Sequence, residues 1–203
     1  MSSNLRRLAF VFPMALVGLF YFLTICPTIY FGDGAELTAA AYVLGVPHPT
    51  GYPLYMLLGR IFLSTPFGSP GFCMNLLSAI SMILSTGLFY LLLGELIRVS
   101  RKNSQNAHIV FRSAMAVAFG LSLFIWRHAV QTEVYGTFLA LFLLSAWLII
   151  RSISTDHVRL HLAAFFALGL TFQGHLLALI LVPLYGLAVL KKLYRREFAI
   201  VLL

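Results

Sequence analysis

FGDGAELTAAAYVLGVPHPTGYPLY, residues 31–55, lies between two long apolar runs and carries two carboxylates, one histidine and three prolines. Ionisable side chains at the edge of a membrane are costly to place, so a functional reading is the default. Within it, ELTAAAYVLGV (36–46), and just beyond it PLYMLLGRIFL (53–63), are each 11 residues long, or about 16 Å of helix at 1.5 Å per residue. Neither can cross about 30 Å of hydrocarbon. Both therefore read as helices that lie in the interface or dip partway into it. Pro47, Pro49 and Pro53 fix φ and restrict the residues before them, giving a stiff irregular connection. Irregular backbone at membrane depth persists only when buried in protein or lining a wet cavity.

Around this stretch the chain is nearly all hydrocarbon: 61% hydrophobic, 10% charged, with a mean hydropathy of +0.94. A soluble domain holds about 25% charged residues, so the expected class is an all-α integral membrane protein. Apolar runs fall near 8–26, 72–97, 109–126, 133–150, 160–172 and 176–190, and a seventh starts at Phe198 and stops at Leu203. That pattern predicts about six spanning helices plus the start of a seventh. Residues 1–203 are expected to form a single transmembrane domain, the N-terminal part of a longer module. Arg6 and Arg7 precede the first run, which reads as an uncleaved helix because no small-residue cleavage site follows it. Cys26 and Cys73 read as free thiols near helix ends.

Charge sets the orientation. With the N-terminus inside, twelve of the 14 Lys and Arg residues fall in inner segments, and only Arg60 and Arg127 fall outside. The formal charge of +8 is accounted for by these flanks, and no nucleic acid is expected as a partner. In this frame Asp33, Glu36, His48, Tyr52, Arg127, His128, Glu133, Gln173 and His175 all face one compartment, from three separate hairpins. Glu95, His108, Asp156, His157, His161 and Glu197 fall on the inner side. The fifth and sixth runs span only about 20 and 22 Å, which would sink the Gln173–His175 turn below the outer surface and imply a polar cavity open to that side.

Each outer residue has a plain and a functional reading. Asp33 and Glu36, spaced i and i+3, can form a capping arrangement at a helix start, or Asp33 can accept a proton from an incoming nucleophile. Oxygen ligands from the pair leave a divalent metal open, although two carboxylates alone are a thin ligand set. Tyr52 and Tyr55 can be interface anchors. Arg127 can reach headgroups or clamp a phosphate with its planar fork. Glu133 suits the positive start of a helix as well as a site. The chain has no Gly-rich phosphate loop, no HExxH and no nucleophile elbow.

GDGAEL (32–37), AAYVLGVPHPTGYPLYMLLGR (40–60), MNLLSA (74–79), QTEVY (131–135) and GHLLAL (174–179) occur in the order and spacing of a bacterial multi-pass membrane family whose eukaryotic relative is an endoplasmic-reticulum protein O-mannosyltransferase. The resemblance runs from about Thr24 to Leu190, and PHPTGYPLY is its most specific block. It implies the GT-C glycosyltransferase superfamily and a GT-C-like helical bundle. Such enzymes take sugar from a polyprenyl-phosphate donor and deliver it, with inversion, to a protein or glycan hydroxyl on the non-cytoplasmic face. Carried over, Asp33 and Glu36 fall on the catalytic acidic positions, with Asp33 as general base. His48, Tyr52, Arg127, Glu133 and His175 become substrate-binding. Gly34 stands where many relatives have serine, and Gly174 where asparagine is frequent. The implied location is a bacterial inner membrane, or the endoplasmic reticulum membrane in a eukaryote. Two other readings compete: a transporter or flippase for a lipid-linked or small polar substrate, and a non-catalytic scaffold subunit.

Overall fold

The computed structural model describes residues 3–49, 51–100, 105–155 and 157–201, and side chains within 4–191. Thr50, Arg101, Lys102, Asp156 and Leu203, and the side chains of Lys192, Arg195, Arg196 and Glu197, lie outside the described residues. Among the described residues the α-helices in order are α1 Ser3–Thr24, α2 Gly34–Val43, α3 Pro53–Leu63, α4 Pro70–Val99, α5 Gln105–Gly120, α6 Leu123–Ala129, α7 Tyr135–Thr155, α8 Val158–Phe172 and α9 Leu181–Val201, with a short 3₁₀ turn at Leu176–Ile180 before the last. No strand occurs among the described residues, so the chain is a multi-pass helical membrane protein.

α4 and α7 form the centre and run parallel. Ser78 meets Glu133 at one end, and Glu95 meets Ser154 at the other. Small polar residues let the two backbones approach: Ser81 Oγ lies 3.2 Å from Thr137 Oγ1, and Ser85 donates to the Gly136 carbonyl at 3.5 Å. A Cβ on Gly136 would stand 3.0 Å from the Ser78 carbonyl oxygen. Lipid is as apolar as leucine, so interfaces of this kind rely on close packing and interhelical hydrogen bonds rather than on exclusion of water. α1 packs against α4 and α5 on one side of this pair, and α8 and α9 pack against α7 on the other. An apolar groove between α1 and α5, of about 1200 Å³, is lined by residues such as Leu8, Phe12, Val110 and Val117 and contributes no ionisable group.

Two irregularities are satisfied from neighbouring helices. Pro13 lies inside α1 and denies the Ala9 carbonyl its usual donor four residues on; the Ser113 hydroxyl donates to that oxygen at 3.0 Å. The run expected as one helix over 109–126 is bent by 61° between α5 and α6. At the bend Tyr21 donates to the Gly120 carbonyl at 2.6 Å and Ser122 to the Phe119 carbonyl at 2.8 Å. Hydrocarbon supplies no partner for such groups, so the protein must.

Among the described residues three helices, α1, α4 and α7, are long and apolar enough to span, and the bent α5–α6 pair adds a fourth when counted as one broken span. α8 and the 176–191 segment are shorter, as expected of the fifth and sixth runs. The run that starts at Phe198 is not set off by a break: that residue continues α9, which extends to Val201. The short helices α2 and α3 are present as expected and sit against the first part of α4. Their close approach depends on Gly59, where a Cβ would meet Ala41 and Met74 at 2.9 Å. Cys26 and Cys73 are free thiols.

Candidate functional site

The Asp33 end of the bundle is assembled around one buried side chain, Asn75. Its amide donates to the carbonyls of Cys26 and Thr28, both at 2.8 Å, and its oxygen accepts from the Thr132 hydroxyl at 2.7 Å. The Cys26 amide in turn donates to the Val130 carbonyl at 2.9 Å. One turn further along α4, the Ser78 hydroxyl accepts from the Glu133 amide at 3.0 Å. The segment after α1 and the segment before α7 are thereby laced to α4 and to each other. Gly34 packs against Thr132, with a Cβ position 3.5 Å from the threonine Cβ, which brings Asp33 near Glu133.

Asp33 is the N-cap residue of α2, yet its side chain makes no capping hydrogen bond. The capping-box reading fails at both members, because Glu36 does not reach back either. The Glu36 carboxylate instead accepts from the His48 amide at 2.7 Å through one oxygen and pairs with His48 Nδ1 at 3.0 Å through the other. The imidazole bond holds the Glu36 carboxyl below its ordinary value, and the same bond raises His48 above the usual imidazole value. His48 Nε2 lies 3.9 Å from Asp33 Oδ2 and 3.4 Å from the Tyr52 hydroxyl.

This crossing from α2 to the loop depends on unusual backbone. Leu44 and Tyr52 have φ of 53° and 44°, and Gly51 has φ of 86°. Left-handed backbone at a leucine and a tyrosine is strained. It reverses the chain on either side of Val46–Pro49 and returns His48 to Glu36. Arg60 closes the hairpin from α3, donating to the Tyr42 carbonyl at 2.7 Å.

Glu133 is half-buried between α6 and α7. Burial raises its carboxyl above the ordinary value; His128 and Arg127 oppose that, and Asp33 adds to it. Each of these three side chains is therefore close enough to act on the Glu133 carboxyl. Gln131 lies 3.5 Å from the Glu133 carboxylate. Arg127 is exposed on the last turn of α6 and acts on Glu133 through charge. His175 sits on the turn before α9, its ring 5.5 Å from Phe138 and 6.5 Å from Tyr135, while Tyr135 stacks edge-on to His128 at 5.1 Å. Gly174 abuts Phe138, one turn into α7, so this turn lies roughly 6 Å deeper than Glu133 along the helix axis. His175 Nδ1 accepts from the Leu177 amide at 3.1 Å. No hydrogen bond or ion pair among the described residues joins His175 to Asp33, Glu36 or His48.

All seven expected site residues thus lie at one end of the bundle. Asp33, Glu36, His48 and Tyr52 form one tight group, Glu133 and Arg127 a second beside it, and His175 an outlying third. One ligand atom each from Asp33, Glu36 and His48 lies within 4.8 Å of the others, a mixed oxygen and nitrogen set suited to a divalent cation. Both Glu36 oxygens are engaged by His48, so a cation would have to displace that pairing or take only Asp33 and His48 Nε2. Residues not anticipated are Asn75, Ser78 and Thr132, and Tyr52 and Tyr55, read as interface anchors, are buried instead. Asn75, Ser78 and Ser85, spaced by three and seven, were a visible polar stripe on an apolar helix, the mark of a helix–helix seam.

Residues 33–197 match the family model described as the protein O-mannosyl-transferase TMEM260 N-terminal domain. The chain belongs to this family. It is similar to a mouse protein named protein O-mannosyl-transferase TMEM260, 32% identical over 137 residues, which is 66% of this chain and 18% of the relative. A Dictyostelium discoideum protein of the same name is 30% identical over 179 residues, 80% of this chain and 21% of the relative. The chain spans about a fifth of the length of these curated TMEM260 relatives. No solved structure matches. The family match starts at Asp33 and takes in every expected site residue.

Proposed function

We propose that the chain is a membrane glycosyltransferase of GT-C type that moves a sugar, mannose by analogy with its relatives' names, from a polyprenyl-phosphate donor to an acceptor hydroxyl. The reading places the reaction at the Asp33 end, on the non-cytoplasmic face, with a protein or glycan as acceptor. The observation that carries it is the Asp33 carboxylate: it stands at a helix N-cap without capping it and is ringed by His48 and Glu133.

In this mechanism Asp33 takes the proton of the acceptor hydroxyl as its oxygen attacks the anomeric carbon. The bond from that carbon to the phosphate oxygen breaks, and the phosphate leaves with the electron pair. Configuration inverts because attack and departure occur on opposite faces. His48, whose bond to Glu36 favours its protonated form, and the exposed Arg127 supply positive charge for the phosphate. Glu36 is then a positioning residue, with its two oxygens occupied by His48. Glu133, with its raised carboxyl, can bear a proton and donate to a sugar oxygen. Tyr52 adds a hydroxyl beside His48, and His175 marks the rim.

Asp33→Asn keeps the side-chain shape and removes the base. Transfer from polyprenyl-phosphate mannose in lipid nanodiscs should fall by about 10²–10⁴ while donor binding persists. Transfer at the wild-type rate would end the assignment of Asp33. The α5–α6 bend favours the transporter reading, since broken helices often line transport sites. Movement of lipid-linked sugar across vesicles with no transfer product would select it.

A further inference from the structure

The first tyrosine of α3 looks at first like filler. Tyr55 is 2% exposed and packs among Leu77 and Val134, whose chain neighbours are Ser78 and Glu133. Its hydroxyl is buried and forms no hydrogen bond. A phenol in such a place is normally partnered, and phenylalanine would fill the same volume without the polar atom. Ser78 is the side chain it comes nearest to bonding, short of a formed hydrogen bond, and the Ser78 hydroxyl is shared with the Glu133 backbone, accepting from the amide at 3.0 Å and donating to the carbonyl at 3.2 Å, and with the Met74 carbonyl at 3.4 Å. The ionisable group next within electrostatic reach is Glu133 itself.

We propose that the Tyr55 hydroxyl is a hydrogen-bond donor held ready for the Glu133 carboxylate, a positioning residue that turns that group toward the Asp33 side of the site. While Glu133 keeps its proton, the phenol waits without a partner. When Glu133 ionises, the phenol donates to its carboxylate. Burial raises the phenol above its ordinary range, so it stays protonated and able to donate. Tyr55 lies three residues beyond Tyr52, the N-cap of α3, whose hydroxyl is 3.4 Å from His48 Nε2. The role rests on the proposed function only in treating Glu133 as part of the site.

The test uses the 203-residue chain in nanodiscs, read by infrared spectroscopy of protonated carboxyl groups across pH. A band lost in Glu133→Gln belongs to Glu133. The groups facing it are Asp33, His128 and Arg127, together with Tyr55, and all but the last are retained in Tyr55→Phe. That variant should move the Glu133 midpoint up by about 0.5–1 pH unit, the worth of one hydrogen bond to the ionised form. Its melting temperature should be unchanged or higher, since a buried unpartnered hydroxyl is removed. If transfer is observed, its rate should fall about three- to tenfold with the acidic limb displaced upward. A midpoint equal to wild type, or no Glu133-dependent band between about pH 4 and 9, overturns the role. A chain that transfers no sugar leaves this readout intact and counts against the proposed function alone.

Discussion

Replacing Asn75 by alanine should loosen the Asp33 end of the bundle and leave the opposite end alone. The side chain is fully buried and makes three hydrogen bonds, two to the carbonyls of Cys26 and Thr28 and one from Thr132. Each such bond contributes about 0.5–1.5 kcal/mol net, and measured interhelical bonds in membranes average near 0.6 kcal/mol. Three of them, with two part-buried carbonyls left without donors, amount to roughly 2–4 kcal/mol. For a chain of this size 3 kcal/mol corresponds to a melting shift of roughly 6–12 °C. Hydrogen–deuterium exchange in nanodiscs localises the effect. Amides of Cys26, bonded to Val130, and of Glu133, bonded to Ser78, should exchange faster, whereas peptides around Glu95 and Arg151 should not. An unchanged melt with unchanged exchange would show that Asn75 is not the tie. Faster exchange throughout would make it a general packing residue, and the argument for a locally laced site would fail.

Three further outcomes follow from the same geometry. Glu36→Gln should lower the His48 titration midpoint, seen by imidazole NMR, because the Glu36 bond is the main cause of its rise above 6.5; a midpoint that stays put would dissolve the pair. The sign gives a window: the His48 contribution is complete below its unfolded value and is lost as pH rises through the raised one. The Glu36 contribution is present above 4.5 and is lost as pH falls through the lowered one, so order in the 44–52 loop should be greatest between those limits. Gly71→Ala would set a Cβ 2.7 Å from the Thr28 carbonyl carbon. That is backbone and cannot rotate away, so about 1–3 kcal/mol and faster exchange at residues 26–29 are expected; a wild-type melt would contradict it. Glu95→Ala strips a carboxylate, 5% exposed at its side chain, of its bonds to Arg98, Arg151 and Ser154. The two arginines are 49% and 40% exposed, so the loss should be nearer 2 than 5 kcal/mol, with exchange at Glu133 unaffected.

The orphaned carbonyls at the α5–α6 bend and at Pro13 show how far local reading can go. Hydropathy over 109–126 is continuous, and the local sign of a break is Gly120 with Ser122, which apolarity alone passes over. The break is held by Tyr21 of α1, 99 residues away, and by the close approach of Val17 and Thr86 to Gly120. Phe198 misled in the opposite sense: the basic residues before it looked like a loop, but nothing in that stretch stops a helix. The polar stripe of α4 was legible and points to the α7 seam, because spacing along a helix is a local property.

By itself the amino-acid order determined the membrane class, the shortness of α2 and α3, and the gathering of Asp33, His48, Glu133 and His175 at one end. These follow from summed apolarity and from helix rise, which need no knowledge of distant neighbours. Only the tertiary structure decided what each polar group does. Asp33 and Glu36 at i and i+3 suit a capping box equally well. Left-handed backbone at Leu44 and Tyr52 brings His48 within reach of Glu36, and a carboxylate bonds to whichever donor the folded chain brings closest.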